Sequence, residues 1–358
     1  MQTEMNNVLN GLGIDGSCVR AEAHRHLAFF DIKLATKPSA LGKLTRPQTV
    51  KQIALALRTK TVPIVRLVPE QGIVRLQVAL RDAEPVGLMD MYRGEWVPDD
   101  MVFPFLLGEN DEGKKLWMDM NHNPHLLVAG GTGSGKSTLL HTIIANALYV
   151  QALRMRNVWL YLSDPKRVEF TQYHSTSLKG VVLDVASSYR SVLEQLEDLH
   201  GMMEKRYKMM HILGMRSVEE NPQKLPLVMI IVDEVADLMM QDKKNGPLHN
   251  VIVKLAQKGR AAGIFLVLST QRPSVDVFPG IIKANFPGRI ACKTASRKDS
   301  EVVLDRPGAE TLLGRGDAVL QNMKYDSVRF QVAYTTPEET IKNYDWVKSL
   351  PLEQIRKQ

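Results

Sequence analysis

Hydrophobic residues in this chain fall into two patterns: short unbroken runs, and longer stretches in which they recur every three or four positions. The unbroken runs are Leu126–Ala129, Val158–Leu162, Leu225–Val232 and Ile264–Ser269, with a weaker one at Val181–Val185. Runs of this length without alternation predict strands buried on both faces. The periodic stretches predict helices over Thr138–Val150, from Ser187 to about Leu213, and over Leu248–Lys258. In the second of these, Val192, Leu193, Leu196, Leu199, Met202, Met203 and Met210 step mostly by three or four, and Gly214 is positioned as a C-cap. Glu194, Glu197 and Asp198 lie early, with Lys205, Arg206 and Lys208 late, an order that suits the helix dipole. The methionines are expected to serve packing. Strands alternating with helices predict an α/β domain with a mostly parallel sheet.

The first hundred residues differ. Ala28–Ala35 and Ile64–Leu80 read as β-like runs, the second broken by a turn at Gln71-Gly72. Between them, Arg46–Lys60 carries Val50, Ile53, Leu55 and Leu57 among alanines and predicts a short amphipathic helix. The expected division is therefore a small α+β domain over 1–104 and an α/β domain over 105–358. The second opens on a strand pair in VFPFLLGENDEGKKLWMDM, residues 102–120. Nothing in the first domain looks catalytic.

Composition narrows the classes. The 358 residues, 44% hydrophobic and 24% charged, are those of a globular protein large enough for two cores. No apolar run reaches the roughly 20 residues of a membrane span, and no signal peptide opens the chain, so a cytoplasmic location is expected. Cys18 and Cys292 stand far apart without metal-ligand spacing, which fits a reducing compartment and no structural zinc. The net charge of +7 permits nucleic-acid binding.

The chemistry begins after the run Leu126–Ala129. Gly130, four residues, then Gly135-Lys136-Ser137 fit the phosphate-binding P-loop between a strand and a helix. Glycines let backbone amides turn toward phosphate oxygens, and the helix N-terminus adds donors and partial positive charge. Gly130, Gly131, Thr132, Gly133, Ser134, Gly135, Lys136, Ser137 and Thr138 are thus the candidate ATP-binding residues. Lys136 is expected to reach the β- and γ-phosphates and Ser137 to hold Mg²⁺. The most apolar strand, Leu225–Val232, runs into Asp233-Glu234, the Walker B pattern. Asp233 is the second candidate metal residue, and Glu234 the one to polarise water. The strand Ile264–Ser269 ends at Thr270-Gln271-Arg272, which makes Gln271 a candidate γ-phosphate sensor. From Lys254 to Lys298 there are nine Lys/Arg and one acid, Asp276, interleaved with strands and turns. Loops carrying Arg272, Lys283, Arg297 and Lys298 are expected to meet phosphates, with too few aromatics for base stacking.

Over residues 105–320 the chain resembles the FtsK/SpoIIIE double-stranded DNA translocases. The resemblance lies in HLLVAGGTGSGKS, SDPKRVEF, MEKRYKMMHILGMRSVEEN, VMIIVDEVADLMM, LAQKGRAAGIFLVLSTQRPSVDVFPGIIKANFPGRIA and LDRPGAETLLGRGDAVL. Residues 20–95 resemble, more loosely, that family's motor α domain. The resemblance implies a RecA-like ATPase that assembles as a hexameric ring around duplex DNA. It implies a trans arginine finger at Arg260 and a second trans contact at Arg297, where the family more often has Lys. It places pore contacts with DNA at Arg272 and Lys283, while one family pore arginine falls on Glu301. The membrane-spanning region and the winged-helix domain of the cell-division members have no counterpart in these 358 residues. Related domains also serve conjugation, DNA packaging and protein secretion, which are the alternative roles.

Overall fold

The amphipathic runs of the first eighty residues fold against one another. In this computed structural model, residues 1–24, 27–35, 38–59, 63–80, 85–93, 97–154, 156–221, 225–242 and 245–350 are described. Strands β1 (Gly16–His24), β2 (Leu27–Leu34), β3 (Ile64–Val68) and β4 (Ile73–Ala79) form an antiparallel sheet in the order β1-β2-β4-β3. Helices α1 (Gln2–Gly11), α2 (Pro38–Leu44) and α3 (Pro47–Ala56) accompany it. Met5, Leu9, Phe30, Ile32, Leu44, Ile53, Val74 and Leu76 share its core. The helix read over Arg46–Lys60 is α3, and Lys60 lies outside the described residues. Val50 and Ile53 are buried but Leu55 is 79% exposed. Two residues past Ile53 on a helix is about 200°, the opposite face.

The larger sheet holds eleven strands. It comprises β5 (Val86–Gly87), β6 (Pro104–Asn110), β7 (Lys115–Asp119), β8 (His125–Ala129), β9 (Val158–Ser163), β10 (Val182–Ala186), β11 (Leu227–Val232), β12 (Ile264–Thr270), β13 (Gly288–Cys292), β14 (Asp317–Gln321) and β15 (Val328–Tyr334). The order is β10-β9-β11-β12-β8-β13-β14-β15-β6-β7, with β5 paired to β15. From β10 to β13 every pairing is parallel, and from β13 to β7 every pairing is antiparallel. The sheet is therefore mixed. Parallel neighbours need a crossover, which helices supply, whereas the short turns after β6 and β14 can join only antiparallel strands.

The unbroken apolar runs are explained by burial on both faces. In β11, Met229 and Ile231 belong to one core while Val228, Ile230 and Val232 belong to the other. Helices α5 (Lys136–Arg154) and α11 (Pro337–Ser349) pack together on the first face; α6 (Tyr189–Leu213) and α8 (Pro247–Lys258) pack together on the second. Shorter helices are α4 (Leu88–Tyr92), α7 (Val235–Met239), α9 (Gly280–Asn285) and α10 (Arg297–Leu304). Leu88, Met91 and Tyr92 of α4 join the larger core and β5 joins its sheet, so the chain enters this unit ahead of Pro104. No helix among the described residues is long and apolar enough to cross a membrane.

Helix α6 starts on a Ser188–Ser191 capping box and stops at Gly214 in the left-handed region. Arg206, read as a dipole-facing charge, is instead buried and donates from Nη1 to the Ala262 carbonyl at 2.6 Å. Burial pushes its guanidinium down to about 10. Its i+3/i+4 neighbours on the apolar face, Met203 and Met210, draw it inward.

Candidate nucleotide site

The parallel strands all end on one side of the sheet, so their C-terminal loops converge there. After β8 comes the turn Gly130–Gly135, after β9 the turn Asp164–Phe170, after β11 Asp233-Glu234, and after β12 Gln271. A cavity of about 490 Å³ opens among them, lined by Gly131, Thr132, Gly133, Gly135, Lys136, Ser137, Thr138, Glu169 and Gln271. Its far wall comes from Pro85, Arg315, Gln331, Val332 and Tyr334.

The P-loop is held by backbone bonds on both flanks. Gly131 donates to the Lys293 carbonyl at 2.9 Å, Arg315 to that of Gly133 at 3.1 Å, and Gly316 to that of Ser134 at 2.8 Å. Gly135 has φ +97°, and a Cβ there would stand 2.2 Å from the Gly316 nitrogen. Only glycine meets both conditions. Gly314, Arg315 and Gly316 all have positive φ, which lets this second loop follow the first.

Lys136 begins α5 and turns back into the sheet. Its Nζ donates to Asp233 Oδ1 at 2.5 Å, to the Asp233 carbonyl at 3.1 Å and to Ser269 Oγ at 3.0 Å. Both residues of the pair are almost wholly buried. Burial pushes the Asp233 carboxyl above its usual range, and the Lys136 charge opposes that rise. Glu234, also buried, accepts from Thr270 Oγ1 at 2.5 Å, from the Gln271 amide at 3.1 Å and from Lys166 Nζ at 3.3 Å. Gln271 Oε1 accepts from Thr132 Oγ1 at 3.3 Å, which ties the P-loop to the end of β12. Ser137 Oγ donates to Glu169 Oε1 at 2.8 Å. The His141 imidazole is the chief cause that holds the Glu169 carboxyl below its usual range, against burial.

The structure thus brings Gly130–Thr138, Asp233, Glu234 and Gln271 together. Arg260, Arg272, Lys283 and Arg297 lie outside the cavity lining. Arg260 stands exposed between α8 and β12, on a loop held by Arg206 and by the Val218 amide, which donates to the Ala261 carbonyl. Arg272 is exposed just past β12. Two loop readings are corrected. Lys283 belongs to α9, and its ammonium pairs with Asp305, which also takes Arg289. Arg297 opens α10 rather than a loop, because Ser296 and Asp299 form a capping box there, and it pairs with Glu301 at 2.8 Å. Lys298 follows it in the same helix.

Motif spacing missed three neighbours of the site: Glu169 and Arg315, which line the cavity, and Lys166, which bonds Glu234. Lys166 and Glu169 sit in SDPKRVEF, but only folding of the turn after β9 aims them at the site. The signal for Arg315 was the Gly-Arg-Gly run beside it.

The FtsK/SpoIIIE family profile matches residues 88–224 and 219–275, more than half of the chain. The chain belongs to the FtsK/SpoIIIE family. It is 32% identical over 358 residues to a DNA translocase FtsK of Chlamydia muridarum (strain MoPn / Nigg), which covers 94% of this chain and 44% of that protein. It is 34% identical over 352 residues to a DNA translocase FtsK of Lactococcus lactis subsp. cremoris (strain MG1363), covering 94% and 45%. The chain therefore spans less than half the length of these FtsK relatives. Among solved structures, it is similar to the pCW3 conjugation coupling protein TcpA in its monomer form with ATPγS. That match has a TM-score of 0.65 at 21% identity, over 96% of this chain and 99% of the other. The cytoplasmic domain of the type VII secretion ATPase EccC of Thermomonospora curvata matches with a TM-score of 0.63 at 23% identity, over 77% and 35%. Fold and family make this chain a P-loop ATPase of FtsK/SpoIIIE type.

Proposed function

We propose that this chain is the motor of an ATP-driven translocase that moves along double-stranded DNA as a homo-oligomeric ring, a hexamer by analogy with the resemblance noted above. The observation that carries the reading is that Lys136, Ser137 and Gln271 line one cavity while Asp233 and Glu234 stand directly behind it, bonded to Lys136 and to the Gln271 amide, in a chain similar to DNA translocases over 94% of its length.

The site performs in-line attack of water on the γ-phosphate. Phosphates of ATP draw Lys136 away from Asp233, replacing one buried ion pair by another and freeing the carboxylate. The donors left there are a hydroxyl and carboxylates, hard oxygen ligands that fit Mg²⁺. Ser137 and Asp233 would hold the ion, which supplies neutralisation of the charge spread over the phosphate oxygens. Glu234 orients the water. In its present position the carboxylate accepts from Thr270, Gln271 and Lys166, with which the water competes for the remaining acceptor capacity. Gln271 reads the γ-phosphate and passes its position to Glu234 through its own amide.

Arg260, exposed and outside its own cavity, acts on a neighbouring subunit's nucleotide, with Arg297 as a second such contact. Arginine fingers contribute a factor of about 10³–10⁵ to turnover, so isolated subunits are poor ATPases. Arg272 contacts the DNA backbone, with Lys283 engaged only once released from Asp305.

ATP hydrolysis measured with and without linear duplex DNA, over a range of protein concentrations, tests the reading. DNA stimulation that grows with concentration is the expected result; a rate indifferent to both would overturn it. The fold shared with TcpA and EccC favours one second reading, a motor of conjugation or secretion. In a secretion motor DNA would leave the rate unchanged.

A further inference from the structure

The turn after β9 carries a carboxylate that the P-loop and Walker B motifs do not account for. Asp164 Oδ2 accepts the amides of Glu169 and Phe170, each at 2.9 Å, which turns Glu169 back over the first turn of α5. There Oε1 accepts the Ser137 hydroxyl at 2.8 Å, and Oε2 stands 3.6 Å from Nε2 of His141, one helical turn beyond Ser137. His141 is in turn held through Nδ1 by the Tyr173 hydroxyl at 3.1 Å. Glu169 is thus gripped from both ends and faces the cavity.

A P-loop serine binds magnesium through an oxygen lone pair, so its proton must go to some acceptor. Asp233, once Lys136 turns to the phosphates, serves the ion itself in the reading above, whereas the Ser137 hydroxyl already has an acceptor in Glu169. The proton of Ser137 goes to Glu169.

We propose that Glu169 is a positioning residue of the magnesium site, fixing the Ser137 hydroxyl with its lone pairs turned toward the ion. This rests on the nucleotide reading above. Partners of this kind, one bond removed from a metal, typically change metal affinity by about 10–100-fold when replaced.

The test is Mn²⁺ binding, followed by electron paramagnetic resonance, to the full chain saturated with the non-hydrolysable analogue AMPPNP. Glu169→Gln is expected to weaken Mn²⁺ binding about ten-fold or more, while AMPPNP affinity in EDTA stays within about two-fold. Because Glu169 acts through Ser137, the losses in Glu169→Gln and Ser137→Ala should not add in the double variant. If Glu169→Gln lowers the melting temperature, Glu169→Asp, which keeps the carboxylate, should recover part of the Mn²⁺ affinity. Unchanged Mn²⁺ affinity in Glu169→Gln, fully additive losses, or no recovery with Asp would each overturn this role. Wild type that binds no Mn²⁺ with AMPPNP would overturn the nucleotide reading, and this role with it.

Discussion

Gly135 and Gly316 meet backbone to backbone, so close that a Cβ on Gly135 would lie 2.2 Å from the Gly316 nitrogen. Neither backbone can yield, because Gly316 already donates to the Ser134 carbonyl and Arg315 to that of Gly133. Gly135→Ala should therefore both destabilise the chain, by about 1–3 kcal/mol for the strained φ alone, and lose nucleotide binding. Gly133 also has positive φ, but a Cβ there would meet nothing within 4 Å. Gly133→Ala should cost only about 1–2 kcal/mol of left-handed strain and retain binding. Melting curves with binding of a fluorescent ATP analogue check the pair; equal effects would show that close approach is not the reason.

Glu234→Gln keeps the size of the side chain and one acceptor oxygen for Thr270, but removes the charge and the second oxygen that takes the Gln271 amide and Lys166. ATP should bind and persist, with turnover down by about 10²–10⁴. Lys136→Ala should abolish turnover by weakening the bound state instead. Comparing single-turnover hydrolysis with ATP affinity separates the two. Rapid turnover by the Gln variant would move the water-orienting role elsewhere.

The basic residues divide by their partners. Arg272 is exposed, whereas the Lys283 ammonium is paired with Asp305. If the first meets DNA phosphates, Arg272→Ala should weaken binding across all sequences and reduce the salt slope by about 1. Lys283→Ala should change the slope less. Asp305→Asn, which releases both Lys283 and Arg289, should tighten binding at low salt. Affinity measured over a salt series decides, and an unchanged slope in Arg272→Ala would remove that residue from the DNA path.

Arg260 tests the ring. Arg260→Ala and Lys136→Ala subunits should each be inactive alone, yet recover hydrolysis when mixed, since an intact P-loop can then sit beside an intact finger. The readout is ATP hydrolysis at several mixing ratios, with subunit exchange followed separately. Background activity at every ratio, despite exchange and a ring that tolerates inactive subunits, would refute the trans role.

Much of the α/β unit was legible because burial on both faces of a parallel sheet leaves an unmistakable run such as Leu225–Val232, and because the P-loop fixes glycine and lysine spacing. What stayed hidden depends on contacts between distant segments. Glu169 reaches Ser137 only because Asp164 folds the turn between them. Lys283 reads as a free cation until Asp305, at the left-handed end of α10, is brought beside it. The buried Arg206 looked like an ordinary late-helix charge because a sequence does not reveal that the Ala262 carbonyl awaits it. Turn and helix were confused at Arg297 for a simpler reason: the Ser296 capping box starts the helix one residue before it.

The loop Gly314–Gly316 also bears on the order in which the site is built during synthesis. The phosphate-binding motif leaves the ribosome long before the segment that braces it, since the carbonyls of Gly133 and Ser134 accept from the amides of Arg315 and Gly316. A nascent chain halted between α9 and β14 would carry every motif residue from Gly130 to Gln271 and still lack the surface against which the P-loop is shaped. Competence to hold nucleotide should therefore arrive late and abruptly, as the β14–β15 hairpin docks, and not in step with the appearance of the motifs.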